Sequence, residues 1–198
     1  MRDNGNALTT GDVGYRYLLR ALADGGRSDV IFALNNQPDK PGYGYQLAQG
    51  ATSLTEAWNA DPRSSQNHFM LGQINEWFYH DLAGIQTDPD GPGFKRIIVM
   101  PAIVGDLNWV KARYDSVRGR IVSEWKRDGR RLVLNVSIPP NTTATVFVPA
   151  VDPATVRVGG RAAGRARGVA FLRREAAAAV FAVESGSYAF SSVLPESR

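Results

Sequence analysis

The apolar residues of this chain change their period once, near residue 88, and that change limits what each half can fold into. Before it, they recur at i, i+3, i+4 and i+7. After it, they alternate. The first pattern is one buried face of a helix and the second is a half-buried strand. The switch falls in TDPDGPGFKR (residues 87–96), where Pro, Gly and Asp cluster as they do in turns and linkers.

The first half reads as three or four helices. Thr10 or Asp12 can cap a helix through GYRYLLRALADGG, in which Tyr15, Leu18, Leu19 and Leu22 share a face and Gly25 and Gly26 supply the stop. Ser28 can cap a second, carrying apolar Val30, Ile31 and Leu34. Pro38 and Pro41 enforce a loop, residues 46–49 make a short turn, and the longest helix is expected over 65–82, stopped by Gly84. Phe69, Leu71, Ile74, Trp77, Phe78 and Leu82 give it an apolar surface wider than an amphipathic stripe, which implies burial on more than one side. So few helices do not close most all-α architectures, so residues 1–88 read as part of a larger helical assembly.

The second half, 89–198, reads as strands. KRIIVM (95–100) is one candidate; in another, Trp109, Lys111, Arg113 and Asp115 alternate with Val110, Ala112 and Tyr114. Asp128 and Gly129 mark a hairpin between two alternating runs, the second placing Leu132, Leu134, Val136 and Ile138 on one side. Trp109 and Trp125 both read as core. TATVFVPA, TVRVGG, VAFLRRE, AVFAVESG and SYAFSSV continue the pattern of a sandwich or barrel, with a hairpin rather than a helix expected over EAAAAV (175–180).

Composition removes several classes of function. With no cysteine, a disulfide scaffold and a thiolate zinc site are excluded, and His68 and His80 are too far apart for a local metal-ligand pair. No cofactor and no metal are expected. No segment approaches the ~20 apolar residues of a membrane span, so no membrane partner is expected. The N-terminus has no signal-peptide pattern, which would make the protein cytoplasmic if that start is genuine. The net charge of +4 is arginine-rich towards the C-terminus, but glycines interrupt the cluster and no aromatic residue interleaves it between Arg157 and Ala170. A solvated loop fits it better than a nucleic-acid footprint.

Four residues stand out as site candidates. Glu56 lies in GATSLTEAWN, where it is either a general base or the partner of Ser53 in a capping box of the S/T-x-x-E pattern. Gly50, Ala51, Thr52 and Ser53 beside it would let backbone approach a ligand closely. Trp58 offers a flat apolar face to a sugar ring. His68, after Asn67, is either a structural donor at a helix start or half of a pair aimed at hydroxyls. Tyr43, like Tyr45, is a loop aromatic suited equally to sugar contact and to core packing.

Taken in order, LTTGDVGYRYLLRALADGGRSDVIF, PGYGYQLAQGATSLTEAWN and SSQNHFMLGQINEWFYHDLAGI resemble the C-terminal end of the catalytic domain of bacterial α-L-rhamnosidases. GFKRIIVMPAIVGDLNWVKARYDSVRGRIVSEW resembles the β-sandwich domain that follows it. The resemblance implies an α+β multidomain fragment: the last helices of an (α/α)6 barrel over 1–88, then an antiparallel β-sandwich over 89–198. It also implies an inverting glycoside hydrolase acting on terminal α-L-rhamnosides. Glu56 would be its general base, Trp58 and His68 would line the sugar pocket, and Tyr43 would border it. A rhamnose-containing glycoside or polysaccharide would be the partner.

Two departures from the family pattern matter. Many members carry Trp directly before the glutamate, where this chain has Thr55. The family's general acid lies in an acidic motif upstream, and neither Asp3 nor Asp12 matches it, so the chain alone is expected to be inactive. Helices lacking barrel partners are also expected to expose apolar surface, giving self-association or partial disorder in residues 1–40. The competing reading is a non-catalytic carbohydrate-binding or assembly module.

Overall fold

The computed structural model describes residue 5 and residues 7–175 and 177–195. Asp3, Ala176 and the first four residues therefore lie outside the described residues. Two compact units divide the chain, Met1–Phe78 and Tyr79–Arg198.

The first unit holds helices α1 (Asp12–Asp24), α2 (Ser28–Asn35), α3 (Tyr43–Ala48) and α4 (Ile74–Trp77). Tyr15 and Leu19 of α1 and Ile31 and Leu34 of α2 are buried, with Leu8, Leu71, Ile74 and Trp77 completing the core. Neither expected cap is used. Gly11 occupies the N-cap of α1, and Asp12 is already helical. Ser28 is buried, and its hydroxyl accepts the indole N–H of Trp77 at 3.1 Å.

Residues 46–49 belong mostly to α3, which closes in a Schellman motif. Gly50 takes φ +83° while its N–H bonds Leu47 O, and Ala51 N–H reaches back to Gln46 O at 3.0 Å. Tyr43 and Tyr45 thus lie on a helix, not in a loop.

The long helix expected from residue 65 starts later and is irregular: a 3-10 stretch Phe69–Gln73, then α4, then a π-turn Phe78–Leu82. Residues 65–68 stay outside the helix because their backbone is already paired. Glu56 N–H bonds Ser65 O and His68 N–H bonds Leu54 O, each at 2.8 Å. Val13, Tyr17, Leu47 and Phe69 of this unit are exposed, Phe69 at 84%.

The second unit is a two-sheet sandwich. One sheet runs in the order β1 (Ile85–Thr87), β2 (Arg96–Val99), β6 (Thr143–Pro149), β10 (Ala178–Val183), β9 (Val169–Glu175). The other runs β3 (Trp109–Ser116), β4 (Gly119–Asp128), β5 (Arg131–Ile138), β11 (Gly186–Val193), β7 (Arg157–Val158), β8 (Arg161–Ala162). All pairings are antiparallel except β2 with β6. β9 and β10 form the hairpin expected over EAAAAV.

Cross-strand registers stack inward rows across each sheet, and rows of this kind are the unit of sheet stabilisation. Val110, Trp125, Leu134, Phe190 and Val158 oppose one another in turn. The facing row is Ile85, Val99, Val146 and Phe181. Leu132, Leu134, Val136 and Ile138 are all buried, as the alternation demands.

Trp125 is core, 1% exposed, but Trp109 is not: it pairs with Lys126 on the outer face of edge strand β3 and is 61% exposed. The hairpin turn also sits one residue later than expected. Asp128 pairs with Arg131, leaving Gly129 and Arg130 as the loop, with Gly129 at φ +53°. Glycine in the first central position is what a type II′ turn requires.

No helix among the described residues is long and apolar enough to cross a membrane.

Candidate functional site

The GATSLTEAW segment is irregular in backbone, yet it is fixed at nearly every residue. No helix follows Ser53, so the capping-box reading of Ser53 and Glu56 fails; the Ser53 hydroxyl instead donates to Gln66 O. Gly50 serves to end α3.

Gln46, 3% exposed on α3, sends its side-chain amide to Thr55 O and Ala57 O, at 3.3 and 3.2 Å. Thr55 is itself buried and donates its hydroxyl to Ala57 O at 2.9 Å. The carbonyls of the two residues on either side of Glu56 are therefore held from below. From across the loop, Ser65 O accepts the Glu56 N–H at 2.8 Å, and Ser65 N–H donates to Glu56 Oε2 at 3.3 Å. Glu56 itself is exposed. The result is a carboxylate facing solvent on a backbone that has little freedom to move.

Trp58 is half-buried, its main-chain oxygen accepting from Gly42 N–H and its indole N–H donating to Thr10 O at 2.7 Å. Its ring meets Tyr15 edge-on at 5.0 Å and Tyr43 at 5.1 Å, with Tyr15 and Tyr43 tilted together at 5.9 Å. Aromatic rings prefer such geometries, and they fix the indole plane.

Tyr15 is fully buried and donates to Asn35 Oδ1 at 2.8 Å. Tyr43 donates its hydroxyl to Leu71 O. Burial pushes both phenols well above their ordinary range, so both serve as neutral donors. Tyr43 also lines a hollow of about 430 Å³ with Gln46, Leu47, Ala51, Thr52, Ser53 and Leu54. Glu56, Trp58 and His68 do not line that hollow.

His68 begins the 3-10 stretch, and its Nε2 lies 2.9 Å from Asp12 Oδ2. Asp12 is held at two further atoms: Oδ1 accepts from Val13 N–H at 2.8 Å and its main-chain oxygen from Gln73 Nε2 at 3.0 Å. The hydrogen bond from His68 holds the Asp12 carboxyl below the usual carboxylate range.

Trp58 and His68 thus converge on residues 10–12, at the start of α1. Among the described residues, the buried side-chain polar atoms without a hydrogen-bond partner, Thr10 Oγ1 and Gln73 Oε1, belong to this same group. The residues that sequence reasoning missed are Asp12, Tyr15 and Gln46. Asp12 was legible only as a cap, Tyr15 only as helix core, and Gln46 only as part of a turn. Among the described residues, no group of three or more His, Cys, Asp or Glu side chains could hold a metal ion.

Comparison with known proteins covers both units. Residues 1–82 match the family model described as bacterial alpha-L-rhamnosidase 6 hairpin glycosidase domain. Residues 84–163 match that described as bacterial alpha-L-rhamnosidase C-terminal domain. A Streptomyces avermitilis alpha-L-rhamnosidase is 33% identical over 93% of this chain and 18% of its own length. A Formosa agariphila alpha-L-rhamnosidase is 28% identical over 93% of this chain and 21% of its own. The solved structure of the S. avermitilis alpha-L-rhamnosidase complexed with L-rhamnose superposes with a TM-score of 0.85 at 32% identity, covering 96% of this chain and 18% of that one. The chain spans about a fifth of the length of these relatives.

Proposed function

We propose, on the premise that the chain belongs to the bacterial α-L-rhamnosidase family, that it forms the C-terminal part of an inverting α-L-rhamnosidase in which Glu56 is the water-activating base. The observation that carries the assignment of Glu56 is its setting: an exposed carboxylate whose own N–H, and the carbonyls of the residues on either side, are hydrogen-bonded. A base must meet its water in one geometry, and a pinned backbone supplies that precision before substrate arrives.

An inverting glycosidase needs two carboxyl groups roughly 6.5–9.5 Å apart, one protonating the leaving oxygen and the other taking a proton from water on the opposite face. Glu56 takes the second role. The acid comes from sequence outside these 198 residues, in keeping with relatives about five times as long. Trp58 presents its indole to the sugar, His68 hydrogen-bonds a ring hydroxyl, and Tyr43 sets the tilt of Trp58 from behind. The substrate is a terminal α-L-rhamnoside.

The 198-residue chain alone is expected to give no hydrolysis of 4-nitrophenyl α-L-rhamnoside above background. Turnover by the isolated chain that Glu56→Gln abolishes would show that the upstream acid is not required. A second reading, a non-catalytic carbohydrate-binding module, is favoured by the sandwich having its own continuous core. Calorimetry with L-rhamnose separates the two: binding that survives loss of residues 1–78 favours the module.

The exposed Val13, Tyr17, Leu47 and Phe69 are assigned to packing against the rest of the six-hairpin domain. In isolation the chain is therefore expected to self-associate. Sedimentation velocity tests this, and a monomer at all concentrations would refute it.

A further inference from the structure

We propose that Asp12 is a positioning residue of the saccharide site, holding the His68 imidazole by Nε2 so that Nδ1 is the ring atom offered to a sugar hydroxyl. The inference rests on the reading of His68 as a sugar-binding residue and names the group that aims it.

The geometry supports a fixed ring rather than a loose surface pair. Asp12 is anchored at three atoms: Oδ2 to His68, Oδ1 to Val13 N–H, and its main-chain oxygen to Gln73. The His68 backbone is anchored separately, through its N–H to Leu54 O at 2.8 Å. Both side chains are largely covered, with 21% of His68 and 30% of Asp12 exposed. Exposed ion pairs contribute little because two long side chains must be ordered; here the carboxylate is short and already placed by its helix.

An ionised carboxylate only accepts hydrogen bonds, so the shared proton sits on Nε2. In the neutral ring Nδ1 then carries a lone pair, and among the described residues it has no hydrogen-bond partner. Which ring nitrogen faces a ligand is set by the bond that the other one makes. A carboxylate orienting a histidine towards its target is the arrangement used behind metal-bound histidines. Here the target is a hydroxyl, which can donate to Nδ1. The unpaired Thr10 Oγ1 and Gln73 Oε1 flank the same segment, whereas a purely structural network ordinarily pairs such buried atoms.

The test has two arms. In 15N-detected imidazole spectra of the 198-residue chain, His68 should be the Nε2–H tautomer with a slowly exchanging ring proton. That slow exchange should be lost in Asp12→Ala and kept in Asp12→Asn, whose side-chain oxygen still accepts. An Nδ1–H tautomer in the unsubstituted chain overturns the proposal even if the variants fail to fold.

The second arm measures KM and kcat for 4-nitrophenyl α-L-rhamnoside in the enzyme that contains this chain. Asp12→Ala should raise KM about tenfold, as expected for losing one oriented hydrogen bond to substrate. Asp12→Asn should restore most of it, and adding Asp12→Ala to His68→Ala should cost nothing more. If His68→Ala raises KM and Asp12→Ala does not, Asp12 has no positioning role. If His68→Ala itself leaves KM unchanged, the sugar-binding reading of His68 is what fails, and the proposal falls with it.

Discussion

Glu56→Gln, made in the enzyme that contains this chain, is expected to lower kcat on an aryl α-L-rhamnoside by about 10²–10⁴-fold, the usual contribution of one general base, the role proposed for it. At about 1.4 kcal/mol per tenfold, this is roughly 3–5 kcal/mol of transition-state stabilisation. KM should change little, because the role proposed for the carboxylate is on water and not in gripping the sugar. The fold should not change either. Glu56 is exposed, and the amide oxygen of Gln can still accept from Ser65 N–H. The comparison therefore isolates chemistry from structure. Steady-state kinetics beside a melting curve checks it, and a variant within about tenfold of the parent kcat would remove Glu56 from the role of base.

Trp125→Ala destabilises the second unit by about 3–5 kcal/mol, the cost of deleting a fully buried aromatic side chain. The indole is 1% exposed and sits between Val110 and Leu134 in the inward row. Its N–H also donates to Leu82 O at 2.8 Å, so removal leaves a carbonyl unpaired in the interior. The control is Trp109→Ala in the same sheet. Trp109 faces outward at 61% exposure, and its loss should stay within about 0.5 kcal/mol. Because the chain has two units, a single transition cannot be assumed. Amide exchange in β5 and β11 reads the second unit directly. Equal effects for the two tryptophans would mean that the inward row does not carry the stability assigned to it.

These two tryptophans also mark how far the sequence could be read. Trp125 shares its parity with Ile121, and both are buried. Trp109 shares its parity with Lys111, Arg113 and Asp115, so its outward face was legible from the alternation, and indole hydrophobicity argued the wrong way. The parallel pairing of β2 with β6 was not legible at all, since alternation says nothing of which distant strand lies alongside.

In the first unit, local propensity competed with long-range backbone pairing. Residues 65–68 could have extended the helix that follows, but their hydrogen bonds go to residues 54–56. Ser53 and Glu56 matched a capping pattern, yet no helix follows them. The family resemblance pointed to Glu56, Trp58, His68 and Tyr43. It did not reveal that Gln46 fastens the first of these or that Asp12 engages the third, because those contacts span 9 to 56 residues of sequence.

The rung joining residues 54–56 to 65–68 closes the neck of a short excursion of chain. Trp58 is tied back to Gly42 and Thr10. Beyond it, residues 59–64 leave and return between fixed points. Doubling the length of such a loop costs only about 0.6 kcal/mol in closure entropy. Residues can be inserted or deleted there without shifting the groups at the neck. Descent can therefore remodel this tip while the residues proposed to handle the sugar stay where they are.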